Sequence, residues 1–293
     1  MIGETHIWLV LSLLTALAVS SQEAFTKKFF SHLSAYEMSA YQLIYSLPLF
    51  GIVLPWIHVP PLERVFFWAF LVSVPLNGIA FLLHMLAIKS SPLSLTIPYL
   101  AFTPVFMIAT GFIFLGEAPS IYGAGGIFCV CIGGYILNLT PGKWTLLGPF
   151  KVFFKETGSW VMLIVAFLYG FAAVIGKLAI VHSSPVFFSV SFFVVFNFSM
   201  VLFLLVIKKV RLRTFAHEPL KGMLVGCFLF IHILLHGYAI SMVTAAYMIS
   251  VKRLSVLFGI IYGWIFFKES NLMIRFSGAV FMVSGAVLIM LKG

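Results

Sequence analysis

Ten apolar runs, each about as long as a membrane-spanning helix, cover most of this 293-residue chain. A helix needs roughly 20 apolar residues to cross the hydrocarbon core of a bilayer. Only 9% of the residues are charged, whereas a soluble domain carries about 25%. We therefore predict an all-α integral membrane protein with about ten transmembrane helices. The runs, here called spans 1 to 10, are residues 7–26, 36–57, 65–88, 93–115, 121–139, 159–181, 185–207, 220–241, 244–267 and 272–291.

The second half of the chain repeats the first at an offset of 152 residues. Gly111-Phe-Ile-Phe-Leu-Gly-Glu117 corresponds to Gly263-Trp-Ile-Phe-Phe-Lys-Glu269, and each segment precedes an apolar helix with two glycines seven residues apart. Residues 84–137 and 236–289 share twelve identities without a gap. This self-similarity indicates an internal duplication. We predict that the glycines allow close helix packing inside the fold, with a dimer seam as the alternative, and that the two glutamates cap the helices that follow them.

The repeat divides the chain into two five-helix units. We predict a first repeat over residues 1–139, a linker over 140–158 and a second repeat over 159–293. Five is an odd number of crossings, so the two repeats must be inverted relative to each other. Inverted repeats are typical of transporters, in which one half rocks against the other around a central site.

Loop charge predicts the orientation, because Lys and Arg remain on the cytoplasmic side of a membrane. Only Arg64 and Lys292 lie on the opposite side from the main basic set. The linker is therefore expected in the cytoplasm and both termini outside it. Span 1 follows no basic segment, so we expect a retained helix and not a cleaved signal peptide. The main basic set is Lys27, Lys28, Lys89, Lys143, Lys151, Lys155, Lys208, Lys209, Arg211, Arg213, Lys221, Lys268 and Arg275.

The strongest candidate for a binding site is the pair Lys252-Arg253, deep in span 9. The pair lies eight or nine residues into the span, about 12 Å from its start. Charges at such depth are costly and usually functional. Facing a cavity, they would bind a phosphate or carboxylate, with Arg forming a bidentate fork and Lys acting as a point charge. The alternatives are snorkelling to the membrane surface and an internal ion pair.

Further ionisable and aromatic side chains inside the spans are candidates for the same site. Lys177 either adds a third cation or reaches the membrane interface, and Tyr99 and Tyr247 are candidates for lining a pocket. Three residues are candidates for proton coupling: Glu23, His84 and its repeat equivalent His236. Histidine exchanges a proton near neutral pH, although a histidine that only hydrogen-bonds neighbouring helices explains the same positions.

With these features, the chain resembles the drug/metabolite transporter superfamily, in particular its ten-helix EamA-type members. The resemblance rests on the two five-helix repeats, on the endings Phe114-Leu-Gly-Glu117 and Phe266-Phe-Lys-Glu269, and on the glycine-bearing helices that follow. It implies an inner-membrane carrier with a central cavity between the halves. Within the superfamily, Val251-Lys252-Arg253-Leu254 resembles the Lys-Arg element on helix 9 of the phosphate and nucleotide-sugar translocators, which implies binding of a substrate phosphate.

We predict a secondary transporter for a small organic anion that carries a phosphate or carboxylate. The alternatives are a proton-coupled exporter of hydrophobic or cationic compounds and a flippase for a lipid-linked phosphate sugar. Neither an HExxH nor a GxSxG motif occurs, so we do not expect an enzyme. We expect no cofactor and no metal. The expected partners are a small-molecule substrate and the lipid bilayer of the inner (plasma) membrane, without nucleic acid, and the expected state is a monomer or homodimer.

Overall fold

The structure, a computed structural model, describes residues 7–91, 96–137, 157–267 and 272–293. Over these ranges the regular structure is helical, with seven helices long and apolar enough to cross a bilayer and three shorter apolar ones. The fold prediction is confirmed. The α-helices of eight or more residues are α1 (Ile7–Phe30), α2 (Ala35–Val53), α3 (Arg64–Ser90), α4 (Thr103–Leu115), α5 (Ile121–Ile136), α6 (Thr157–Val181), α7 (Pro185–Val206), α8 (Pro219–Met242), α9 (Ala245–Lys252), α10 (Ser255–Phe267) and α11 (Leu272–Lys292). The ranges of α9 and α10 together make up one of the seven long helices.

Serine residues begin several of these helices. The Ser34 hydroxyl accepts a hydrogen bond from the Glu37 backbone amide, while the Glu37 carboxylate accepts one from the Ser34 amide, which completes a capping box. The hydroxyls of Ser120 and Ser184 accept from the backbone amides of Gly123 and Phe187 and so cap α5 and α7, without a reciprocal carboxylate. Helix α4 ends at Gly116, whose φ of 67° lies in the left-handed region that glycine adopts without strain. Polar groups therefore satisfy backbone amides at the ends of otherwise apolar segments.

Large apolar side chains cover the outside of the helix bundle. Trp56, Leu71 and Ile121 are 87%, 73% and 82% exposed, and many other large apolar residues are also exposed. A water-soluble monomer does not present so much contiguous apolar surface. This surface is the one that faces lipid, which agrees with a multi-pass membrane protein.

Helices of each repeat pack against helices of the other repeat in a symmetric way. Helix α1 of the first repeat packs against α8 of the second, and α6, the equivalent of α1, packs against α3 of the first. Likewise α4 contacts α6 while α10 contacts α1. Since each half makes five crossings, the two halves run in opposite directions across the membrane. The core of each half is thus built partly from helices of the other.

The last helices of the two repeats, α5 and α11, meet along the repeated glycines. A Cβ placed on Gly126 would lie 2.7 Å from the Gly285 carbonyl oxygen, and one on Gly133 would lie 2.6 Å from the Gly278 carbonyl oxygen. Real Cβ atoms do not approach backbone so closely, so only glycine permits this helix spacing. The glycine seam is therefore an intramolecular contact, as favoured above over the dimer seam.

Spans 4 and 9 are not continuous α-helices. Span 4 begins with a 3₁₀ segment, Ile97–Phe102, before α4, and span 9 is interrupted at Arg253 and Leu254 between α9 and α10. Helix α4 begins at Thr103 and helix α10 begins at Ser255, which lies 152 residues later. Their last residues, Leu115 and Phe267, are also 152 residues apart. Both repeats thus break the corresponding helix at the corresponding place. Irregular backbone inside a membrane is tolerated where it is buried in protein or lines a cavity.

Some predicted features fall outside the described residues. The predicted linker at 140–158 is one of them, except that its last two positions belong to α6, which begins at Thr157. Glu269 and the basic residues Lys143, Lys151, Lys155 and Lys268 are others. The orientation derived from loop charge stays a prediction.

Candidate functional site

A cavity of about 200 Å³ lies between the two repeats. Its walls come from α1, α2 and α3 of the first half and from α6, α7, α8 and α9 of the second. The polar and charged side chains on the walls include Gln22, Glu23, Gln42, Asn77, His84, Tyr169, Lys177, Ser189, His232, His236, Lys252 and Arg253. Convergence of so many polar groups inside an apolar bundle marks a candidate binding site.

Lys252 and Arg253 enter the cavity from the break between α9 and α10. Here the backbone turns by i→i−3 hydrogen bonds, such as Leu254 N to Val251 O at 3.0 Å. The Arg253 side chain is 8% exposed and donates from Nη2 to Thr103 Oγ1 at 2.8 Å. Its Nε is buried and has no hydrogen-bond partner among the described residues. The guanidinium therefore bridges the two repeats and keeps donor capacity unused by the protein.

One carboxylate, Glu23, faces these cations from α1. It lies 3.8 Å from His84 Nε2, and the Nδ1 of that histidine lies 3.3 Å from the Tyr169 hydroxyl. Glu23 also interacts electrostatically with both Arg253 and Lys252. The structure thus brings together a carboxylate, a histidine and a tyrosine from three helices, next to the two cations.

The repeat-equivalent histidines line the cavity from opposite halves of the protein. His84 adjoins Glu23, whereas Nδ1 of His236 lies 3.3 Å from Lys252 Nζ. An ammonium group is only a donor, so this contact uses the lone pair of a neutral imidazole. The two histidines have therefore acquired different electrostatic neighbours, a carboxylate in one half and a cation in the other.

Lys177 lies on the cavity wall but is already paired. Its ammonium donates to the Glu117 carboxylate and, at 2.6 Å, to the Val243 carbonyl oxygen. The other Glu117 oxygen accepts from the Ala245 backbone amide at 2.9 Å. Glu117 therefore caps the start of α9, whereas Ser120 caps the helix that directly follows it. This corrects the expectation that Glu117 caps the next helix.

The two candidate tyrosines lie outside the set of residues described as lining the cavity. Tyr99 is 6% exposed and packs in an apolar cluster with α3 and α6 residues such as Val165. The Tyr247 hydroxyl accepts from the Ser120 backbone amide at 2.8 Å and covers Gly123. Both tyrosines therefore pack between helices.

Several lining residues had not been singled out from the sequence. Tyr169 lines the cavity and contacts His84, and aromatic side chains of α7 form one wall. Thr103 contacts Arg253 without being one of the lining residues itself. Thr103 could have been identified from the sequence, because its repeat equivalent, Ser255, also has a hydroxyl and closely follows the Lys-Arg pair. Tyr169 carried none, since nothing in the sequence relates α6 to His84.

Comparison with known proteins identifies the architecture. The model of the EamA-like transporter family matches residues 6–139 and 156–291. The chain belongs to this family. The match confirms the resemblance to the drug/metabolite transporter superfamily. A comparison with curated proteins found no match.

A solved structure titled "Crystal structure of protein" aligns with this chain at a TM-score of 0.65. The alignment covers 97% of this chain and 95% of the chain in that structure. Its sequence is 11% identical, so this likeness concerns the fold alone. Family membership, in contrast, indicates a membrane transporter.

In this EamA-like transporter, the charges at the cavity do not cancel. Lys177 is neutralised by Glu117. Among the described lining residues, this leaves Lys252 and Arg253 facing one carboxylate, that of Glu23. Interactions between charges are strong where water is displaced by apolar walls. The described cavity lining thus carries more basic than acidic side chains.

Proposed function

We propose that this EamA-like transporter carries a small organic anion, with Lys252 and Arg253 as the substrate-binding cations. The observation that carries the proposal is the excess of positive charge in the central cavity, two cations facing one carboxylate. A buried charge without a partner is strongly unfavourable. An anionic substrate supplies the missing negative charge, and a cationic substrate would increase the imbalance.

The position of the cations supports a rocking mechanism. Arg253 belongs to the second repeat and donates to Thr103 of the first, at the place where both span 4 and span 9 depart from α-helix. In transporters built from inverted repeats, interrupted helices form the substrate site near the middle of the membrane. Movement of one repeat against the other would change the distance across this contact, and so the access to the anion.

Proton coupling is assigned to Glu23 together with His84. The Glu23 carboxylate attracts the same two cations that would bind the substrate, so substrate anion and ionised Glu23 compete for them. Protonation of Glu23 removes this competitor and favours substrate binding. His236, the third candidate, has its Nδ1 directed at Lys252 Nζ, 3.3 Å away, and acts in this proposal as a partner that orients Lys252.

The experiment is a ligand-induced thermal shift of the purified full-length protein in detergent. Benzoate and phenyl phosphate serve as anionic probes, and benzyl alcohol and benzylammonium serve as neutral and cationic controls. A ligand that binds only the folded state raises the melting temperature. We expect stabilisation by an anion, and loss of it in Lys252→Met and Arg253→Met. Arg211→Gln, at an exposed arginine, is the matched control and should respond as the wild type does.

Two results would overturn the assignment. One is equal stabilisation by benzylammonium and by the anions. The other is an unchanged anion response in both Lys252→Met and Arg253→Met. Arg253→Lys separates charge from geometry, because lysine keeps the charge but loses the planar fork. A weaker but measurable anion response in this variant is expected.

A further inference from the structure

One wall of the cavity, on a different helix from the charges, is aromatic. Phe188, Phe192 and Phe196 project from one face of α7 at intervals of four residues and line the cavity. Their rings stack at centroid distances of 5.2 Å and 5.6 Å, with interplanar angles of 24° and 11°. Phe81 of α3 closes the end of this row, edge-on to Phe196 at 6.1 Å. The row is therefore a continuous apolar surface built from ring faces and edges.

This aromatic row and the charged groups come from different helices that line one cavity. The cations come from the end of α9 and the carboxylate from α1, whereas the row belongs to α7. A ligand that contacts both sides must therefore be charged at one end and apolar at the other. A fully hydrated ion, such as inorganic phosphate, gains nothing from the row. An apolar compound without charge gains nothing from Lys252 and Arg253.

The size of the cavity limits the apolar part of the ligand. A buried apolar cavity of roughly 150 Å³ accommodates a benzene molecule. At about 200 Å³, this cavity has room for one ring, or an equivalent branched chain, together with a carboxylate. Nucleotide sugars and lipid-linked sugars are several times larger than that.

We propose that the substrate is a compact organic monoanion with one apolar, preferably flat, body. Its charged group binds Lys252 and Arg253, and its body lies on the row of Phe188, Phe192 and Phe196. While Glu23 is ionised, the single negative charge of the ligand matches the excess of one positive charge. Protonation of Glu23 strengthens this binding but is not required for it. The inference rests on the proposed function for the charged end and adds the aromatic row as the specificity-determining surface.

The first test varies the apolar body while the charge stays constant. Dissociation constants of acetate, cyclohexanecarboxylate and benzoate are measured by calorimetry on the purified full-length protein, with inorganic phosphate as the ion without a body. Burial of a ring-sized apolar surface strengthens binding by about tenfold or more. We expect benzoate and cyclohexanecarboxylate to bind at least about tenfold more tightly than acetate. Acetate or phosphate binding as tightly as benzoate would overturn the inference.

The second test varies the wall while the ligand stays constant. Phe192→Leu keeps an apolar side chain but removes the ring, and should weaken benzoate binding about two- to tenfold while acetate binding is unchanged. Phe198→Leu is the matched control, because Phe198 lies on the same helix and is 59% exposed on the outer face. Equal affinities for benzoate in Phe192→Leu and Phe198→Leu would refute the role of the row. If Phe192→Leu does not fold, the ligand series on the wild type decides alone.

The two proposals fail in different ways. Binding of neutral benzyl alcohol as tight as that of benzoate would refute the anion site and leave the aromatic row standing. Binding of acetate as tight as that of benzoate, lost in Arg253→Met, would refute the aromatic row and leave the anion site standing. If none of the carboxylates binds, both proposals are wrong.

Discussion

The contact between Glu117 and Lys177 gives a quantitative prediction about what holds the two repeats together. Glu117 follows α4 in the first repeat, and both of its partners, Lys177 and the Ala245 amide, belong to the second. The side chains are 7% exposed for lysine and 21% for glutamate. The replacement Glu117→Gln keeps the shape and removes the charge, so Lys177 becomes a buried ammonium without a counter-ion.

Loss of one partner of a buried ion pair costs about 3–5 kcal/mol. Because Glu117 is partly exposed, we expect the lower end, about 3 kcal/mol. At about 2 °C per kcal/mol for a chain of this size, the melting temperature of Glu117→Gln should fall by about 6 °C. The double variant Glu117→Gln/Lys177→Met should recover most of this loss, because the orphaned charge is gone.

The assay is tryptophan fluorescence during heating of detergent-purified protein at one fixed scan rate, since unfolding of such proteins is often irreversible. Glu218→Gln is the matched control, because Glu218 forms a surface pair with Lys221 in which both side chains are more than 40% exposed. Such a pair contributes at most about 1 kcal/mol. The reasoning is refuted if Glu117→Gln has the same melting temperature as Glu218→Gln. It is also refuted if the double variant has a lower melting temperature than Glu117→Gln.

Three further predictions concern packing and the site. Gly285→Ala should destabilise the fold by about 1–3 kcal/mol through overpacking. Gly51→Ala is the control, because a Cβ at Gly51 meets nothing within 4 Å and should not destabilise the fold. Equal melting temperatures of the two variants would contradict the glycine seam. Tyr247→Phe should cost about 1 kcal/mol by removing one hydrogen bond, measured as a small drop in melting temperature. Thr103→Val should weaken benzoate binding severalfold by releasing Arg253, with Thr103→Ser close to the wild type in calorimetry.

Proton coupling is tested separately from binding. In proteoliposomes with an imposed pH gradient, Glu23→Gln should abolish gradient-driven accumulation of labelled benzenesulfonate, because its side chain cannot release a proton. Benzenesulfonate is used because it stays ionised and does not cross the bilayer as a neutral acid. Exchange of labelled for unlabelled benzenesulfonate needs no net proton transfer and should persist. Accumulation that still follows the pH gradient in Glu23→Gln would refute the assignment of the coupling proton to Glu23 and His84.

The helices could be predicted from the sequence because each polar residue in lipid is unfavourable, so a spanning helix appears as a continuous apolar run. The break in span 9 could not, because Ala245–Lys252 contains neither proline nor glycine and reads as one apolar helix with the residues after it. The interruption depends on tertiary contacts, among them the donation from Arg253 to Thr103, 150 residues away in the chain.

The same distinction applies to the site. Lys252, Arg253, Glu23 and the two histidines were found because a charge inside an apolar run stands out. The pairing of Lys177 with Glu117 was not predicted, because sixty residues separate them and no periodicity relates their helices. The aromatic row of α7 could not be predicted either, because phenylalanine is common throughout the chain. The chain contains 33 phenylalanines, so a stripe of them carries little information until the cavity is known.

The most direct measurement of the central claim is the position of a bound ligand. Crystals of the protein with 4-bromobenzoate, measured at the bromine absorption edge, would give the bromine position from anomalous scattering. We predict the carboxylate beside Lys252 and Arg253 and the bromine at the row of Phe188, Phe192 and Phe196. A bromine peak outside the cavity, or a carboxylate directed at the aromatic row, would contradict the account.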